Sequence, residues 1–69
     1  MYVATTINEN YIFQGFGMTE DEAENAMVEE VNEFLDGDYT LEEIASDRNF
    51  MQIEIQKVTL GHGITSVRY

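Results

Sequence analysis

The chain contains no cysteine, no proline and no tryptophan, and sets three basic residues and one histidine against fourteen acids in 69 residues. Each scarcity removes a class of explanation. Without cysteine there are no disulfides, no thiolate nucleophile and none of the commonest structural zinc sites, a composition that suits a reducing cytoplasm. Without proline or a Gly/Ser-rich linker nothing marks an internal boundary, so the expectation is one domain, 1–69, with a single modest core. No apolar run approaches the roughly 20 residues that span a bilayer. Met1-Tyr2-Val3-Ala4-Thr5 lacks the basic region of a secretory signal, and an anionic leaflet would repel the chain. The expected location is therefore cytoplasmic, with no membrane partner. Only Arg48, Lys57 and Arg68 are available to neutralise phosphates, which argues against direct nucleic-acid binding.

Catalytic apparatus is equally scarce. His62, in Gly61-His62-Gly63, reads as an exposed turn rather than a general base, which would need an orienting partner and a pocket. Carboxylates are plentiful, but acid/base chemistry requires their environments to differ, and a solvated helix face keeps them alike. Asp36-Gly37-Asp38 followed by Glu42 and Glu43 has the oxygen ligands of a cation loop in the wrong order, because a calcium loop places its glycine after several alternating ligands. No phosphate loop, dinucleotide fingerprint or nucleophile elbow occurs. The reading is of a protein that is not an enzyme, with no cofactor and no metal.

What the sequence does contain is a foldable pattern. Eight aromatic residues and a hydrophobic fraction of 43% are those of a globular chain. Tyr2 to Ile7 and Tyr11 to Phe16 are β-branched and aromatic runs separated by Asn8-Glu9-Asn10, which suits a short hairpin loop. Gly15 and Gly17 are expected to end the second strand or mark a bulge. Thr19 and Glu22 form the pattern of a capping box, and Ala23, Ala26, Met27, Val31, Phe34 and Leu35 recur at helical spacing up to Gly37, the expected C′ stop. Such a helix is about 27 Å long. Thr40 and Glu43 form a second capping box, with Tyr39 and Ile44 at the staple positions of a short helix from Leu41 to Ser46.

Phe50 to Leu60 returns to period two, with Met51, Ile53 and Ile55 on one face, and Ile64 to Tyr69 supplies a fourth strand expected to pair with the third. The order ββααββ predicts an α+β domain in which helices cover one face of a four-stranded antiparallel sheet. Val3, Thr5, Ile7, Ile53, Ile55, Met27, Val31 and Phe34 are the expected core. Met18 and Met51 are expected in the core or at staple positions, and Tyr2, Tyr11, Tyr39 and Tyr69 half-buried at its edge. The uncovered sheet face or an edge strand would serve a homodimer.

Twelve of the fourteen acids lie between Glu20 and Asp47, a stretch without Lys or Arg. Segregated charge governs encounter and partner choice more than fold. Capping explains the acids near the helix starts, leaving Glu29, Glu30, Glu33, Asp36, Asp38 and Asp47 as charge that folding does not require. The candidate partner-binding residues are Glu20, Asp21, Glu24, Glu29, Glu30, Glu33, Asp36, Asp38, Glu42, Glu43 and Asp47. Lining one rigid helix and its continuation, they would enter a channel built for phosphates and meet its Arg and Lys in charge-assisted hydrogen bonds.

Thr19-Glu20-Asp21-Glu22-Ala23-Glu24-Asn25-Ala26, following a hairpin, resembles the helix start of HicB-type antitoxins over about the first half of the chain. That resemblance implies a protein that neutralises a small basic toxin. In size, acidity and lack of catalytic motifs the whole chain is similar to the small phage-encoded inhibitors of bacterial defence, the anti-CRISPR and anti-restriction proteins, several of which imitate DNA. This second likeness is carried by composition, and implies an inhibitor acting in the host cytoplasm on a basic nucleic-acid-binding protein. The expected function is accordingly a non-enzymatic acidic inhibitor, with an antitoxin-like protein or a structural homo-oligomer as alternatives.

Overall fold

A computed structural model describes residues 1–59. The elements run β1 (Tyr2–Asn8), β2 (Tyr11–Gly17), α1 (Glu20–Leu35), α2 (Leu41–Ser46) and β3 (Glu54–Lys57). The class is α+β, but among the described residues the antiparallel sheet has three strands, in the order β2-β1-β3, and not the expected four. The third strand pairs antiparallel with β1. The expected fourth strand, Ile64 to Tyr69, and the His62 turn lie outside the described residues.

Two residues, Glu9 and Asn10, turn the β1–β2 hairpin, Glu9 with a positive φ of 54°. Asn8 therefore belongs to the strand, paired with Tyr11. The register sets Ala4 opposite Gly15 and Thr6 opposite Phe13, and it is this set that faces α1. Val3, Thr5 and Ile7 point the other way; Val3 is buried as expected, at 1% exposure, whereas Thr5 and Ile7 are only half-buried, so the expected core holds on β1 at Val3 and misses Ala4 and Thr6. The cause is visible in the sequence: Val3-Ala4-Thr5-Thr6-Ile7 is β-branched at nearly every position, and a strand without alternation does not declare its inner face.

Gly17 is the last residue of β2, as expected, while Gly15 neither ends the strand nor bulges it. Both lie beneath the first half of α1, where a Cβ on Gly15 would fall 2.0 Å from the Met27 nitrogen and one on Gly17 would fall 2.5 Å from the Glu22 Cβ. The helix backbone rests on the strand backbone there. Toward its C-terminal end α1 is held by rings instead, with Phe34 at 4.7 Å from Tyr11 and 5.7 Å from Phe13 between centroids. Phe34 is consequently a bracket at the domain edge, 57% exposed, and not the core residue expected. The buried cluster is Ala4, Phe13, Ala23, Met27, Val31, Ile44 and Phe50.

The return to β1 contains an irregularity that the period-two pattern hides. Thr5 pairs with Glu54 and Asn8 bridges to Phe50, so two residues of β1 face three, Met51, Gln52 and Ile53. One extra residue is a β-bulge, and it reverses the facing on either side. Phe50 is thereby turned into the core, edge-to-face with Tyr39 at 5.6 Å, while Met51 is left 62% exposed. The Thr6 hydroxyl, fully buried, donates to the Met51 carbonyl at 2.9 Å, and the Met51 amide donates to the Ile7 carbonyl at 2.8 Å. Met18 is likewise exposed rather than packed, as is Tyr11 in part, whereas Tyr2 and Tyr39 are half-buried against the core.

Candidate functional site

The helical layer carries the acids, and its end geometry fixes where they point. Thr19 caps α1 by accepting from the Glu22 amide at 3.1 Å, but the Glu22 carboxylate accepts from the Met18 amide at 2.8 Å, so the expected reciprocal box is displaced by one residue. The box at α2 is complete: Thr40 Oγ1 accepts from the Glu43 amide at 3.2 Å and Glu43 Oε1 from the Thr40 amide at 3.1 Å. The left-handed residue that stops α1 is Asp36, φ 53° and ψ 48°, rather than Gly37. A short polar side chain tolerates that conformation, and at Gly37 a Cβ would meet the Tyr39 ring at 2.9 Å, a contact a small shift of that ring relieves.

Asn32 positions the connection between the helices. Its Nδ2 donates to the Tyr39 carbonyl at 3.0 Å and its Oδ1 accepts from the Tyr39 amide at 2.6 Å, closing a two-bond clamp on the backbone of one residue. Sequence reasoning passed over this residue. The available signal was a poor helix former one turn before the helix end, where an amide side chain competes well for backbone.

Of the candidate partner-binding residues, Glu20, Asp21, Glu29, Glu30, Glu33, Asp36, Asp38, Glu42 and Glu43 are exposed, and Glu24 and Asp47 are half-buried. They do not form a single row. At about 100° per residue, Glu29 and Glu33 share with Glu22 the side of α1 opposite the buried Ala23, Met27 and Val31. Glu30 falls on the flank of Ala26 and Phe34, above β2. Asp21 and Glu24 fall on the opposite flank, toward α2. Two of the six acids expected to be free of folding duty are in fact employed: Asp36 ends α1, and Asp47 Oδ1 accepts from the Asn49 amide at 2.8 Å. That leaves Glu29, Glu30, Glu33 and Asp38.

Between the helices and β3 lies an open groove of about 600 Å³, lined by Glu24, Leu41, Glu42, Ala45, Gln52, Ile53 and Ile55. It exists because α1 rests on β1 and β2 and leaves β3 uncovered on that side. Partial burial raises the pKa of the Glu24 carboxyl above its ordinary value, and the neighbouring Asp21 and Glu20 add to the effect. Among the described residues no three His, Asp or Glu side chains are grouped to hold a metal ion, and no helix is long and apolar enough to cross a membrane.

Known proteins offer no match. No family model, no curated protein and no solved structure is similar to this chain. Function must therefore be argued from charge and shape.

The sheet side differs sharply from the helical side. On the face away from the helices, Ile12, Gln14 and Phe16 of β2 lie beside Ile7, Thr5 and Val3 of β1, and Ile12 and Phe16 are 65% and 54% exposed. No charged residue occurs in β1 or β2. Among the described residues the helical layer is thus acidic and the outer face of β1 and β2 uncharged, with Glu54 of β3 beside it.

Proposed function

We propose that this protein is a non-enzymatic inhibitor whose acidic helical layer occupies the nucleic-acid-binding surface of a basic protein, such as a CRISPR effector or defence nuclease, in the cytoplasm. The observation that carries the reading is linear charge density on a rigid element. Helix α1 holds seven carboxylates in 16 residues, about 24 Å at 1.5 Å per residue, or one per roughly 3.4 Å. A single DNA strand carries one charge per about 3.4 Å of axis. These charges divide between the outer side of α1 and its flanks, so a surface shaped for nucleic acid would meet a comparable total charge and not a matching row, with Glu29 and Glu33 presented foremost and Glu30 beside them. Folding does not call for these three, which are exposed and far from either helix start.

The test is a pull-down from a host lysate with the tagged chain, washed over a salt series and eluted with duplex or single-stranded DNA. Capture of a basic nuclease that DNA releases, lost when Glu29, Glu30 and Glu33 are all changed to Lys with the fold intact, supports the reading. Full binding by that triple variant overturns it. Salt-resistant capture of a small basic protein that DNA does not release would instead favour the antitoxin-like alternative.

A second reading, self-association, is favoured by the exposed Ile12 and Phe16. Two copies could meet through the sheet face with their acidic layers turned outward. The edge of β2 is a poorer route, because α1 rides directly over that strand and would crowd a neighbour placed beside it. Light scattering with Phe16→Ser as control decides between dimer and monomer.

A further inference from the structure

The groove between α1, α2 and β3 has a chemistry that the acidic surface as a whole does not. Its walls are apolar at Leu41, Ala45, Ile53 and Ile55, and two acidic residues from different helices line it, Glu24 from α1 and Glu42 from α2. Among the described residues no lining side chain is cationic. An anion would be repelled, and a purely apolar occupant would desolvate two carboxylates without compensating them. A hydrated metal ion would make no use of the aliphatic walls. The occupant that satisfies both features is a long aliphatic stem ending in a positive charge.

We propose that this groove anchors one arginine or lysine side chain of a partner protein, its stem lying on Leu41, Ala45, Ile53 and Ile55 and its charged head held between Glu24 and Glu42. Arginine is favoured, because its planar fork is weakly hydrated and suits carboxylate recognition. Burial first, and then Asp21 and Glu20, raise the Glu24 pKa, and an inserted cation would offset both effects. This rests on the reading of a basic partner only for the source of the side chain. It also gives the contact a fixed point, which diffuse charge attraction lacks.

Amide chemical shifts of the full chain, titrated with hexylguanidinium, test the groove without any partner. Saturable shifts centred on Leu41, Ala45, Ile53 and Ile55 are expected, weakened about fivefold in Glu24→Gln/Glu42→Gln and unchanged in Glu29→Gln. Guanidinium without the alkyl stem and hexanol without the charge should both bind more weakly than hexylguanidinium. A capped Gly-Arg-Gly peptide should give the same shift pattern. The proposal fails if hexanol binds as well as hexylguanidinium, if the shifts spread evenly over α1, or if the peptide-borne arginine is excluded. Loss of lysate capture in the Glu29/Glu30/Glu33 reversal does not bear on these shifts, so the groove and the wider charge reading fail separately.

Discussion

Replacing Gly15 by alanine tests the packing that the rest of the domain depends on. A Cβ at this position would lie 2.0 Å from the Met27 nitrogen, 2.4 Å from the Ala23 carbonyl oxygen and 2.6 Å from the Ala26 carbonyl carbon, whereas ordinary contact begins near 3.4 Å. All three atoms are helix backbone, so no side chain can step aside and α1 must lift by more than an ångström along part of its length. Overpacking of this kind costs about 1–3 kcal/mol, occasionally more, and the upper end is expected because the displaced object is a whole helix. A domain of 69 residues has roughly 3–10 kcal/mol in total. At about 4–8 °C per kcal/mol for this size, a loss near 3 kcal/mol lowers Tm by roughly 12–24 °C. Thermal and urea melts followed by far-UV circular dichroism measure it. The sign is the decisive feature, because alanine for glycine inside an uncrowded strand would stabilise by about 0.5–1 kcal/mol. An unchanged or raised Tm for Gly15→Ala would refute the close approach. Gly37→Ala is the control: its Cβ meets the Tyr39 ring at 2.9 Å, a side chain able to shift, and the expected loss is under about 1 kcal/mol.

Three further outcomes follow from the same geometry. Thr6→Val keeps the buried volume but removes the donor to the Met51 carbonyl in the bulge; urea melts should show a loss of about 1–3 kcal/mol, and no loss would mean that the hydroxyl does not hold the bulge. Glu24 has a native pKa above its ordinary 4.5 because of burial first, then Asp21 and Glu20. The native state then binds more protons than the unfolded chain as pH rises from 4.5 toward the raised value, so stability falls across that window and the deficit persists above it. Glu24→Gln should therefore raise Tm at pH 7 by relieving two like-charge pairs worth about 0.2–0.5 kcal/mol each together with the burial penalty, with the gain vanishing below pH 4; a gain independent of pH would contradict the assignment. Finally, raising salt from about 10 to 150 mM shortens the screening length from about 30 to 8 Å and should raise Tm, since a chain of net charge −11 repels itself; a flat or falling Tm would count against self-repulsion.

The helices were the most legible part of this chain. Thr19 and Thr40 mark their starts in sequence because a cap is a local contract between a hydroxyl and an amide three residues on, and Ala23, Met27 and Val31 mark the inner stripe because helical spacing puts them on one side whatever lies beneath. The strands were legible as strands but not as faces. In β1 the β-branched residues alternate with nothing polar enough to choose a side, and after Phe50 an apparently regular alternation conceals the bulge that sends Phe50 inward and Met51 outward. Asn32 as the clamp was also illegible, since its role depends on where Tyr39 sits, and Asp36 took the left-handed stop one residue before the glycine that the pattern favours.

By itself, the sequence determined that the domain is acidic in one block, capped at two helix starts and short of catalytic groups, because composition and near-neighbour hydrogen bonds need no tertiary context. Only the folded chain decided that Gly15 and Gly17 form a floor for α1, that the acids divide between an outer row and two flanks, and that Glu24 and Glu42 share a groove. Those features depend on helix–sheet distance and register, and both are set by which residues meet across the fold and not by their order along it.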